Sequence, residues 1–222
     1  RSGTCGTYDR SFKFTALVVA LGALSLWPQA ARAADPRSPD WPCVQVKVPE
    51  ISLAAVWAVG AFVSGPLHLG CVRFRGRNQR PVITGTTIGL LLGLAFVIGG
   101  LIAREIPGVR EYITRVLEFA NYGPLLLVVF ITVINGVAEE LFFRGALYTA
   151  LVGFDPVVVS TILYVAATSA TTGNPMLGFA AIILGAVCAF ERRATGGVLA
   201  PTLTHFFWGL VMVLALPPIF GV

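Results

Sequence analysis

Charge is what this sequence has least of. Of its 222 residues only 12% are Asp, Glu, Lys or Arg, about half of the roughly 25% found in soluble domains. Hydrophobic residues make up 56%, and the mean hydropathy is +0.81. These figures exclude an ordinary soluble domain. Histidine is scarcer still, with only His68 and His205, so imidazole chemistry has two residues to draw on. Cys5, Cys43, Cys71 and Cys188 are scattered, with no CxxC pair and no histidine-flanked spacing. That excludes a zinc knuckle or redox motif, and Cys71 and Cys188, in apolar runs, read as small packing residues. No internal repeat is evident, which removes the usual sequence pointer to an inverted-repeat transporter. The net charge of +5 is carried by arginines clustered between apolar runs, a pattern of membrane orientation. No nucleic-acid partner is expected.

What the chain does have is long apolar runs. After Arg10 and Lys13, the stretch Thr15 to Trp27 and the Ala31-Arg32-Ala33 site make residues 1–34 either a secretory signal peptide or a first membrane segment, with equal weight. Residues 35–49 read as a Pro-rich polar loop. Six apolar segments follow, at about 51–72, 82–103, 124–152, 157–172, 176–190 and 197–216, several near the roughly 20 residues that span a bilayer as a helix. The two at 157–172 and 176–190 are short. The expected fold is all-α, a polytopic transmembrane bundle of about six to seven segments, because runs this uniformly apolar do not suit barrel strands. Residues 35–81 would hold the extracytoplasmic loop, one membrane helix and a basic loop, and 82–222 the core. The loop containing Arg73, Arg75, Arg77 and Arg80 is expected to be cytoplasmic. An even number of crossings puts Arg192 and Arg193 on the same side, and the implied location is a plasma (bacterial inner) membrane. Residues 104–121 alternate charge with Ile106, Val109, Ile113 and Val116, as an amphipathic interface helix or a solvated connector would.

Three charges interrupt the third of these runs. Glu139, Glu140 and Arg144 lie in Gly136-Val137-Ala138-Glu139-Glu140-Leu141-Phe142-Phe143-Arg144-Gly145. Each intramembrane charge costs roughly 2.5–3.5 kcal/mol even on lenient scales, so such residues are functional candidates by default. On a helix, Glu140 and Arg144 are four residues apart on one face, with the glutamate first, an arrangement that favours an ion pair. Glu139 is turned by about 100° and lacks that partner, which leaves it as the reactive group. An interhelical charge network without chemistry is the competing reading. His205, in Ala200-Pro201-Thr202-Leu203-Thr204-His205 of the last apolar run, gives the carboxylates a second polar group to meet across the bundle. His68, in Gly65-Pro66-Leu67-His68, reads as a packing or interface residue.

The Gly136–Gly145 stretch resembles the Glu-Glu-x-x-x-Arg motif of the CPBP family of intramembrane proteases, which includes CAAX prenyl endopeptidases and bacteriocin-processing and immunity proteins. Gly196 to His205 resembles that family's final motif, and the likeness covers residues 82–216. The resemblance implies a helical membrane core with a cavity open to the cytoplasm or bilayer. Within it, Glu139 and a histidine would activate water to hydrolyse a peptide bond, Glu140–Arg144 would give support, and His205 would donate to the oxyanion. The implied partners are the lipid bilayer and a membrane protein or lipid-anchored peptide as substrate.

Two groups of the family pattern are missing. Threonine stands in the second motif's histidine position, in Tyr164-Val165-Ala166-Ala167-Thr168, and Gly209 stands where the final motif has asparagine. Thr168 is neither a base nor a good zinc ligand. No cofactor is expected, and zinc, as in a metalloendopeptidase, would have to use Glu139, Glu140, His205 and a fourth residue that the sequence does not identify. Two readings stay open: an endopeptidase in which Glu139 alone holds the water, and a catalytically impaired relative that acts as a membrane binding, immunity or scaffold protein. An ion relay through the glutamates is a third and weaker one.

Overall fold

A computed structural model describes residues 41–74, 76–118 and 123–222; the expected leader or first segment, 1–34, lies outside them. The chain runs α1 (Trp41–Val63), β1 (Val72–Phe74), β2 (Arg77–Gln79), α2 (Val82–Ala103), α3 (Val109–Leu117), α4 (Leu125–Ala150), α5 (Pro156–Thr172), α6 (Pro175–Thr195) and α7 (Leu199–Phe220). The fold is an all-α bundle. Its one sheet among the described residues is the antiparallel hairpin β1–β2 in the basic loop, with Val72 opposite Gln79.

Among the described residues four helices, α2, α4, α6 and α7, are long and apolar enough to cross a membrane; Ile51–Val63 and Pro156–Ala170 are apolar but shorter. Large side chains such as Ile83, Leu126, Phe130 and Ile162 face outward, which suits a lipid solvent and not water. The segment expected at 176–190 is longer than its apolar run. Helix α6 holds 21 residues, from an Asn174 side-chain cap on Met176 N to Gly196, whose φ of 70° closes the helix. The helix expected at 51–72 lies earlier in the chain: α1 starts at Trp41, inside the expected polar loop 35–49, and has 23 residues. Helix α1 ends at Val63, because Gly65 takes a φ of 127° and Pro66 cannot continue a helix. Residues 64–71 instead run against the loop ahead of α7, with Val198 N donating to His68 O at 2.8 Å and Cys71 N to Thr195 O at 2.9 Å. That clamp puts the basic hairpin and Arg192-Arg193 at one end of the bundle. It also leaves Cys71 exposed, not packed as expected.

The closest helix pairing is α2 on α7. Gly85, Gly89 and Gly93, spaced by four, line its interface: a Cβ on Gly85 would stand 2.5 Å from Ala200 O, and one on Gly89 2.6 Å from Thr204 O. Small residues at this spacing let two backbones touch where lipid gives no hydrophobic drive. Helix α3 is amphipathic as expected, with Leu117 buried and Arg110, Glu111 and Arg115 exposed. Helix α1 joins the core through Trp57, whose ring is 4.6 Å from Phe142 and 5.1 Å from Phe143.

Candidate active site

Helix α4 changes its winding where the charges are. It is α-helical to Glu140, π-helical over Leu141–Leu147, and α-helical again from Tyr148, whose N–H reaches back five residues to Phe143 O. Widened turns of this kind are rare and frequent at functional sites. The Arg144 carbonyl, inside this stretch, accepts from Arg192 Nε of α6 at 2.7 Å.

The predicted pair forms. Arg144 Nη1 donates to Glu140 Oε1 at 2.9 Å, and both side chains are fully buried. Arg144 Nη2 donates to Gly185 O of α6 at 2.9 Å. His205 comes from α7 to the same carboxylate, its Nδ1 3.0 Å from Glu140 Oε1. With the carboxylate beside a guanidinium, only an Nδ1–H makes that contact, which fixes this nitrogen as the donor. So the histidine meets Glu140, and not Glu139. Gly136, one turn ahead of Glu140, makes the room: a Cβ there would stand 2.9 Å from His205 Cδ2.

Glu139 faces elsewhere. It is only half-buried, and its Oε2 accepts from Tyr164 Oη of α5 at 3.0 Å. Sequence reasoning placed Tyr164 in an aromatic position of the second motif and missed this contact; the signal was the one phenol of the segment, in Ile162-Leu163-Tyr164-Val165. The Tyr164 ring also lies 4.5 Å from Arg144 Cζ and 6.5 Å, edge-on, from the His205 ring. Thr168 follows Tyr164 by one turn on the same face of α5 and is half-buried. Gly209 packs toward Thr132 of α4, 3.5 Å from where its Cβ would be. Trp208 meets His205 edge-on, with ring centroids 5.8 Å apart, and its buried indole N–H has no acceptor among the described residues.

A cleft of about 220 Å³ between α1 and α4 is lined by Ala54, Ala58, Ile134, Ala138, Leu141 and other apolar residues, and takes in none of Glu139, Glu140, Arg144 or His205. A second group that the sequence reading missed is Glu191, near the end of α6. It is 6% exposed, and neither carboxylate oxygen accepts a hydrogen bond from the described residues. The Thr204 hydroxyl close to it gives its proton to Gly85 O at 3.0 Å.

No three His, Cys, Asp or Glu side chains among the described residues come together as metal ligands. Glu140 Oε1 is shared between Arg144 and His205, and Glu139 Oε2 is held by Tyr164, so these donors do not fit a tetrahedral zinc site. A zinc ion would need ligands beyond them. Chemically, the arrangement offers one neutralised carboxylate that orients a histidine and one half-buried carboxylate with a free oxygen.

No curated protein and no solved structure matches the chain. Residues 121–211, which carry both carboxylates, Arg144, Tyr164 and His205, match the family model described as type II CAAX prenyl endopeptidase Rce1-like; with the long apolar helices, this match supports a membrane protein that is similar to the CAAX proteases over these residues.

Proposed function

We propose that the protein is an intramembrane endopeptidase in which Glu139 activates the water. The observation that carries this reading is the unequal fate of two adjacent carboxylates. Glu140 is fully buried and engaged by Arg144 and His205, whereas Glu139 is half-buried, with Oε2 on Tyr164 and Oε1 unengaged by the described residues. A base needs an open oxygen within hydrogen-bond reach of water, and Glu139 supplies it. In the step that follows, Oε1 takes a water proton while the hydroxide oxygen bonds to the peptide carbonyl carbon. The tetrahedral intermediate collapses, the C–N bond breaks, and the proton on Glu139 goes to the leaving amine. His205, held by Glu140 through Nδ1, presents Nε2 toward the developing oxyanion and donates to it when both ring nitrogens carry protons.

The substrate class is a membrane protein or lipid-anchored peptide, reached from a plasma-membrane bundle with residues 82–222 as the core and the basic hairpin on the cytoplasmic side. The test uses the purified full chain in lipid vesicles with membrane-anchored peptides, with and without an isoprenyl cysteine. Cleavage by the wild type that drops on the order of a hundredfold or more in Glu139→Gln supports the reading. Equal cleavage by both proteins overturns it. Binding without cleavage by either moves the chain to a non-catalytic membrane-binding role, which Thr168 and Gly209, in the places of a histidine and an asparagine, favour.

A further inference from the structure

We propose that Tyr164 is a positioning residue whose hydroxyl fixes Oε2 of Glu139 and so reserves Oε1 for the attacking water. The inference rests on Glu139 being the base. A glutamate side chain turns about three torsions, and Glu139 makes no ion pair among the described residues: Arg144 bonds Glu140 Oε1 and Gly185 O, and His205, close enough to act on Glu139 through its charge, bonds Glu140. Its orientation is therefore set by the one described hydrogen bond that it makes, from Tyr164 Oη at 3.0 Å.

Tyr164 is itself held on several sides, which makes it a fixed donor and not a chance neighbour. It is 4% exposed. Its ring face takes the Arg144 guanidinium at 4.5 Å, and Phe143 packs on it at 5.2 Å, edge to face. Gly185, which accepts from the same guanidinium, also packs close to the ring, where a Cβ would stand 3.0 Å from Tyr164 Cδ1. A tyrosine has two side-chain torsions, and with the ring so confined the hydroxyl position is determined. The same ring joins the two carboxylates: its hydroxyl holds Glu139, and its face holds the cation that neutralises Glu140.

The experiment compares wild type, Tyr164→Phe and Glu139→Gln as full chains in lipid vesicles. Tyr164→Phe keeps the ring, its packing and its contact with Arg144, and removes only the donor. We expect kcat to fall roughly ten- to a hundredfold, as loss of one charge-assisted hydrogen bond would give, with KM and the thermal midpoint near wild type. A second readout needs no turnover. The carboxylate infrared band of Glu139, identified by its loss in Glu139→Gln, should shift in Tyr164→Phe. An unchanged kcat in a cleaving protein, or an unshifted band, overturns the role of Tyr164. Full cleavage by Glu139→Gln overturns instead the base assignment beneath it, and that outcome is read in a protein whose Tyr164 is intact.

Discussion

His205 Nδ1 and Arg144 Nη1 converge on a single atom, Glu140 Oε1, at 3.0 and 2.9 Å. One carboxylate oxygen thus ties α7 to α4, and Arg144 extends the tie to α6 through Gly185 O. The other oxygen of Glu140 is buried and accepts no hydrogen bond from the described residues, so the two contacts on Oε1 are what hold this carboxylate. Removing one partner of a fully buried pair strands the other charge, at a cost of about 3–5 kcal/mol. Arg144→Met should therefore destabilise by that amount. Arg144→Lys should cost less, about 1–3 kcal/mol, because an ammonium cannot make both the Glu140 and the Gly185 contacts in the guanidinium geometry. Thermal or denaturant unfolding in detergent measures both; equal stability of Arg144→Met and wild type would show that the pair is not the keystone of this cluster.

Gly136 sets where the histidine sits. A methyl group added there would stand 2.9 Å from His205 Cδ2, so Gly136→Ala should push the imidazole off Glu140 and cost about 1–3 kcal/mol, as overpacking does. The clash is with one side chain, so it should vanish when that side chain is shortened. In a His205→Ala background, Gly136→Ala should be close to neutral. A double-mutant cycle on unfolding free energy decides the point, and additive losses would place the strain elsewhere.

How much of this was open to reading from sequence depends on whether a feature is local. The Glu140–Arg144 pair needs only helical spacing, and it forms even though the helix widens just beyond Glu140. The partner of His205 was not legible, because it depends on how α7 crosses α4, and that depends on a missing side chain at Gly136. Glu191 was hidden by its neighbours. Glu191-Arg192-Arg193 reads as the start of a polar loop, but the helix runs on to Thr195 and turns the glutamate inward. The end of α1 was overrun, since the apolar run was expected to continue to residue 72, although Gly65-Pro66 is a pair of helix breakers inside it. The spacing of four at Gly85, Gly89 and Gly93 carried a helix-interface signal as well, and the sequence analysis left it unread.

That glycine stripe separates two kinds of glycine on one helix. Gly89 faces the Thr204 backbone, where a Cβ would come within 2.6 Å of a carbonyl oxygen, while a Cβ on Gly99 would meet nothing within 4 Å. Gly89→Ala should force α2 and α7 apart and lower the thermal midpoint, at a cost of at least about 1–3 kcal/mol. Gly99→Ala should be neutral or stabilising by up to about 1 kcal/mol, since alanine is the better helix former. Because α7 carries His205, Gly89→Ala should also reduce any peptide cleavage, whereas Gly99→Ala should not. The pair is measured side by side in the same detergent; similar effects at the two positions would mean that the α2–α7 contact is looser than the geometry describes.

Glu191 offers the reverse test, a substitution expected to help. Its carboxyl group is buried among Cys188, Thr204 and Glu140, and its oxygens accept no hydrogen bond from the described residues. An unsatisfied buried polar group costs about 1–3 kcal/mol, and a charged one more. Glu191→Leu removes that cost at the expense of a slightly different shape, so the net change should be a gain in stability of about 1 kcal/mol or more. Glu191→Gln keeps the shape but still buries an amide, and should fall between wild type and Glu191→Leu. Unfolding of the three proteins under one set of conditions gives the order directly. If Glu191→Leu instead unfolds earlier by several degrees, the carboxyl group has a favourable partner, such as a bound water shared with the unengaged Oε2 of Glu140, and the two carboxylates would then form one connected polar network behind His205.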